Sequence, residues 1–173
     1  AIDRVKARKP QRGLTVSVLA SFAAKWLLPR LGGFQAAHPD IHLRLHTSAE
    51  VVDLHSGMAD AAVRYGRGPF PGMVAQTLFA DRFAPVCSPM LNIQQPNDLR
   101  GQTFLHLEWL RRDEATPTWA RWCKRAGLDD VDLSSGLSFS DDTHAIQAAI
   151  AGQGVVLASS EMVRSEIAAG LLV

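Results

Sequence analysis

The chain has 173 residues, of which 47% are hydrophobic and 20% charged, and its formal net charge is +1. Such a length allows one or two domains, and such a composition supports a packed core and excludes intrinsic disorder. No apolar run approaches the ~20 residues a membrane helix needs, and the opening AIDRVKARKPQRG has no apolar signal-peptide core, so a cytoplasmic protein with no membrane partner is expected. The small net charge hides an asymmetry. Residues 1–12 hold five basic groups against Asp3, which gives +4 there and −3 over the rest. A mildly acidic globular part argues against nucleic acid as its own partner, and the basic start, residues 1–13, reads as a linker.

Leu14–Leu19 is an apolar run that predicts a buried strand. After Ala20–Ser21 the spacing turns helical, with Leu27, Leu31 and Phe34 at i, i+4 and i+7. Ser21 fits the N-cap of that helix, and Pro29 inside it predicts a kink or a restart. Ile41, Leu43 and Leu45 alternate with His42, Arg44 and His46, a strand with one apolar and one polar face. Glu50–Ser56 reads as a short helix ended by Gly57, Asp60–Tyr65 as a third strand, and Val74–Ala80 as a further extended stretch. A second unit is expected from Asp81. Its strands fall at Arg82–Cys87, Phe104–Leu107, Leu137–Phe139 and Gly154–Ala158. Short turns are expected at Ser88–Pro89 and Gln95–Pro96. Its helices fall at Pro117–Ala126 with Thr116 as N-cap, Thr143–Ala151, and Glu161–Ala169. Gly170–Val173 reads as the start of another extended segment. The order is that of an α/β protein with a largely parallel sheet. Cys87 and Cys123 read as buried, reduced thiols.

Catalytic patterns do not emerge. No nucleophile elbow, phosphate loop or dinucleotide fingerprint is present, and Gly152–Gln153–Gly154 follows a helix and precedes a strand, the reverse of the required order. His42 and His46 share a strand face about 13 Å apart, too far to chelate one ion. Asp141 and Asp142 sit where a helix start wants acidic caps. No cofactor or metal site is therefore expected. What repeats is one geometry. Strands end at Ala20–Ser21, Thr47–Ser48, Arg64–Tyr65 and Phe139–Ser140, each offering hydroxyls, free amides or a guanidinium. Parallel strands that point such ends at a shared cleft would bind an anionic or polar small molecule.

Four phrases, in order and at matching spacing, resemble the effector-binding domain of LysR-type transcriptional regulators. They are LTVSVLASFAAKWLLPRLGGFQAAHPDIHLRLHTS, GMADAAVRYGRGPFPGM, FAPVCSPML and FSDDTHAIQAAIAGQGVVLASSEMV. The wording around Arg64–Gly68 and Ser140–Gly154 is most similar to the subgroup that regulates glycine cleavage and inducible β-lactamase. The resemblance covers nearly the whole chain from Gly13.

That resemblance implies a type 2 periplasmic-binding-protein-like fold, with two α/β subdomains joined by crossover strands and an effector cleft between them. The subdomains would be residues 14–80, short of their C-terminal closing elements, and residues 81–170, with residues 171–173 starting the return crossover. The implied effector contacts are Ser21, Phe22, Thr47, Ser48, Arg64 and Tyr65, faced by Ser140 and Asp142. The implied dimer face holds Arg30, Phe34 and Arg44 against the helix around Gln147 of a second copy. The partners would be a small-molecule effector and a second copy, with a tetramer in the full-length protein. DNA would be reached only through a winged helix-turn-helix preceding this chain. The function implied is allosteric control of transcription without catalysis. The alternative is a periplasmic solute-binding protein of the same fold.

Overall fold

A computed structural model describes residues 12–66, 68, 70–110, 112–114 and 116–173. The expected linker therefore lies outside the described residues except for Arg12 and Gly13. The chain forms two compact units, one ending before Phe70 and one spanning Phe70–Val173.

The first unit is a parallel three-stranded sheet in the order β2-β1-β3, built from β1 (Arg12–Val18), β2 (Ile41–Thr47) and β3 (Ala61–Ala62). Leu14, Val16 and Val18 of β1 pair with Leu43, Leu45 and Thr47 of β2. Between these strands runs a helix in three parts: α1 (Ala20–Phe22), a wide π turn (Ala23–Leu27) and α2 (Leu28–Ala37). Pro29 stands in the first turn of α2 and has no N–H to give. The widened turn just ahead of it, where the Leu28 amide reaches Ala23 O, absorbs that break. The residue that begins the helix is Leu19, with no side-chain cap, so Ser21 is inside the first turn and does not cap it. The helix predicted for Glu50–Ser56 shrinks to one 3-10 turn, Leu54–Ser56, capped by Asp53, whose carboxylate accepts from the His55 amide. The strand predicted for Asp60–Tyr65 shrinks to Ala61–Ala62, which pair with Val16 and Ser17 of β1. Val74–Ala80 forms no strand, since no described strand pairs with it, and Val74 and Leu78 stay exposed.

The second unit has a four-stranded sheet in the order β4-β7-β5-β6. Its strands are β4 (Phe83–Val86), β5 (Phe104–Leu107), β6 (Leu137–Phe139) and β7 (Val155–Ser159), with β4 antiparallel and the others parallel. All five residues of β7 are buried, as a central strand covered on both faces requires. On one face α4 (Asp142–Ile150) packs Ala145, Ile146 and Ala149 against Val156, with Val163 and Leu172 in the same cluster. On the other, α3 (Trp119–Ala126) brings Trp119 and Cys123 onto Phe104, Val155 and Leu157. Trp119 also donates its indole N–H to Leu105 O at 3.0 Å. Thr118, not Thr116, caps α3, accepting from the Arg121 amide. Thr116 is drawn instead into a turn with Asp113, whose amide it accepts at 2.8 Å. The last helix is a shorter α5 (Arg164–Ala168). Beyond it Leu172 is buried, and Val173 exchanges both backbone hydrogen bonds with Cys87. Both cysteines are buried and free, and burial raises both thiol pKa values, which suits unreactive thiols. Among the described residues no helix is long and apolar enough to cross a membrane.

Candidate functional site

In the first unit all three strands point the same way, so their C-terminal ends share one edge of the sheet. Six of the expected contacts stand at that edge. Ser21 and Phe22, just past β1, are buried; Thr47 at the end of β2 is exposed and Ser48 half-buried. Arg64, past β3, is half-buried, and Tyr65 is 46% exposed. The Ser48 hydroxyl accepts the Glu50 amide at 3.1 Å, which turns the chain sharply after β2.

Arg64 is the most constrained of these groups. Its Nη2 donates to Ser17 Oγ at 2.7 Å and to Glu50 O at 3.0 Å, and its Nη1 to Val63 O at 2.9 Å. One guanidinium thus ties β1, the stretch after β2 and its own strand end together. Every one of those acceptors is neutral. Burial lowers the Arg64 pKa, and among the described residues no carboxylate offsets that cost. Its Nε is buried with no partner, a donor that costs free energy while it stays unmade. Ser17 had no place among the sequence-level candidates. The signal was a hydroxyl inside an apolar strand, at a position the structure buries completely.

In the second unit Ser140 is exposed and Asp142 half-buried, both just past β6. Asp141 is the N-cap of α4, accepting from the Thr143 amide at 2.8 Å, while Asp142 adds a negative charge in the first turn, where the helix dipole favours it. A concavity of about 200 Å³ lies between β5 and the start of α3, walled by Trp109, Trp119 and Leu133. A larger one of about 320 Å³ lines His38, Pro39 and His42. It sits where β2 begins, at the opposite edge from Ser48 and Arg64. Among the described residues no cluster of His, Cys, Asp and Glu could hold a metal ion.

The residues expected at a dimer face are distributed over both units. Arg30 lies over Trp26, its guanidinium carbon 4.5 Å from the ring centre, and donates to Trp26 O at 2.8 Å. Trp26 in turn stacks on Phe22 at 5.0 Å. Phe34 is half-buried beside His38. Along β2, His42 and Arg44 are exposed, as the alternation requires, but His46 is half-buried and Thr47 exposed, so the alternation ends at Leu45. Gln147 is exposed on α4 of the second unit.

A family profile described as "LysR substrate binding domain" matches residues 7–173. The chain is 40% identical over 178 residues to the glycine cleavage system transcriptional activator of Escherichia coli K12, covering all of this chain and 56% of that protein. It is 37% identical to the HTH-type transcriptional activator AmpR of Pseudomonas aeruginosa, over 90% of this chain and 51% of that one. The chain thus spans about half the length of these relatives. Its structure matches the AmpR effector binding domain from Citrobacter freundii with a TM-score of 0.79 at 31% identity, covering 94% of this chain and 80% of that one. The effector domain of AmpR of Pseudomonas aeruginosa matches at 0.76 and 34%, covering 93% and 77%. Profile, relatives and structures agree: the chain belongs to the LysR substrate-binding domain family and has the type 2 periplasmic-binding-like α/β fold of that family's effector-binding domains.

Proposed function

We propose that this chain is the effector-sensing part of a LysR-type transcriptional regulator and acts by binding, without catalysis. The observation that carries this reading is the shared edge in the first unit, where Ser21, Ser48 and a charge-uncompensated Arg64 end three parallel strands. Open α/β sheets bind ligands at such edges. The remaining contacts would be Phe22, Thr47 and Tyr65 from residues 14–80, and Ser140 and Asp142 from residues 81–170. The effector would be small and anionic or polar. Binding would favour one arrangement of the two subdomains, to the extent of its differential affinity for the two. A cytoplasmic homodimer, or a tetramer in a longer protein, would carry that change to DNA-binding segments outside this chain. Arg30, Phe34 and Arg44 of one copy would meet the Gln147 helix of the other. The named relatives are transcriptional activators, which favours this reading over a periplasmic solute-binding protein.

Thermal-shift screening against amino acids, short peptides and small organic acids tests the proposal, paired with a reporter assay. A hit should raise the melting temperature in a concentration-dependent way and alter transcription. Ser21→Ala and Arg64→Ala should weaken both responses. If no compound shifts melting and Arg64→Ala leaves the reporter unchanged, the sensing role fails.

A further inference from the structure

We propose that Ser17 is a positioning residue which aims Arg64 so that the guanidinium takes a carboxylate group of the effector. The proposal rests on the effector-sensing reading and specifies its ligand. A guanidinium has five N–H donors. Three bonds are made, to Ser17 Oγ, Glu50 O and Val63 O. Two donors remain, the Nε–H and one proton on Nη1, and Nε is buried without a partner. All three acceptors in use are neutral, so the bonds fix the plane of the group and leave its charge uncompensated. A half-buried cation held in this way is completed by an anion, and because both Nη2 protons are engaged, a carboxylate takes the free proton on Nη1 in a single charge-assisted bond.

Ser17 is the part of this arrangement that no other residue replaces. It is fully buried on the central strand β1, so its Oγ is a fixed point, and at 2.7 Å it makes the shortest of the three bonds. Its neighbour amides are engaged in the sheet: Ser17 pairs with His46 on one side and with Ala62 on the other. Without that hydroxyl, Arg64 keeps only two carbonyl acceptors, one its own neighbour and the other in the stretch after β2. Its guanidinium is then free to swing toward solvent.

The test uses the full chain and a matched pair of probes, N-acetylglycine and its neutral amide N-acetylglycinamide. Binding is followed by calorimetry and by the Arg64 Nε–H resonance in a nitrogen-15 spectrum. The acid should move that resonance saturably and bind about tenfold or more tightly than the amide, the loss expected when a charged hydrogen bond is removed. Ser17→Ala should reduce this preference to about twofold or less, and Ser17→Thr, which keeps the hydroxyl, should restore most of it. A purely structural role for Ser17 would lower the melting temperature and leave the acid-to-amide ratio unchanged, and that result overturns the proposal. Equal binding of acid and amide to the unaltered chain overturns it too, and needs no variant to fold. If a neutral compound from the screen binds and drives the reporter normally in Ser17→Ala, this inference falls while the sensing role stands.

Discussion

One group whose titration bears on stability is Asp81, at the entry to β4. It is half-buried, and Ser159 donates to its carboxylate at 2.7 Å while its Oδ1 also takes the Arg82 amide at 2.8 Å. Burial raises its pKa above the ordinary carboxylate value, the two hydrogen bonds oppose that, and the like charge of Glu161 adds to it. A carboxyl with a raised pKa in the folded state holds more protons folded than unfolded, so its contribution is present at low pH and is lost as pH rises through the shifted range. Asp81→Asn keeps an acceptor for Ser159 and cannot ionise. The melting temperature of Asp81→Asn relative to the unaltered chain should therefore climb as pH rises through and above the ordinary carboxylate range. A difference that stays flat across that range refutes the assignment. Asp98 runs the other way, since the Gln94 and Gln95 amides lower its pKa and its contribution is lost on acidification. The Ser159 and Glu161 partners of Asp81 could not be read from the sequence. Asp81 and Ser159 are far apart in the chain, just as Ser17 and Arg64 are, and residue chemistry alone marked Arg64 but not the hydroxyl that holds it.

At the scale of elements, local chemistry wrote the strands and helices of the second unit clearly and their caps less so. Phe104–Leu107 and Leu137–Phe139 match their apolar runs, because both are strands of a sheet with a buried face. Thr116 and Thr118 are equally good caps on paper. Thr116 is captured by Asp113, which leaves Thr118 at the helix start. Thr118→Ala should cost about 1 kcal/mol and Thr118→Ser much less, measured by urea unfolding. In the first unit, Glu50–Ser56 and Asp60–Tyr65 carry helix and strand signals, but an element forms only where tertiary partners meet it, and those stretches have few. Two glycines show the converse, a requirement invisible in the sequence. A Cβ at Gly136, where φ is +123°, would lie 2.0 Å from Phe104 O, and one at Gly154 would lie 2.3 Å from Thr103 O. These are the points where β6 and β7 close on β5, and the Val155 amide bonds Thr103 O at 2.9 Å directly after the second. Gly154→Ala and Gly136→Ala should each cost about 3 kcal/mol or more, since backbone must move in the middle of a sheet. Gly152→Ala meets no atom within 4 Å, so its cost is limited to its own left-handed backbone, about 1 kcal/mol.

Across the whole molecule the two units differ in how much apolar surface they bury. In the first, the buried hydrophobic residues among those described are Val18, Phe22, Ala23 and Ala59, and α2 has no buried residue at all. The second has a cluster on each face of its sheet, with Phe104, Leu105, Ile146, Val155, Val156 and Val163 all at most 1% exposed. Full burial of one such side chain stabilises by about 1.5–3 kcal/mol, so the second unit holds most of the stabilising contacts. The α/β alternation and the polar strand ends were legible because they depend on local pattern. This imbalance was not, because the apolar faces of Leu14, Val16, Leu43 and Leu45 look as core-bound as those of β7, yet they are only half-buried. Whether such a face is covered depends on what packs against it, and its own residues do not encode that. Local opening follows the density of buried contacts. Amide hydrogen exchange should therefore be slowest in β7 and α4, and β1, β2 and α2 should exchange faster by at least tenfold while the second unit stays protected. An effector seated at the Ser21, Ser48 and Arg64 edge would slow exchange in β1 and in the stretch after β2 first, because Arg64 already links Ser17 to Glu50. Uniform protection across both units would mean that the sparse first unit is stabilised by something other than its own core. Protection gained on effector binding in β7 alone would move the ligand away from that edge.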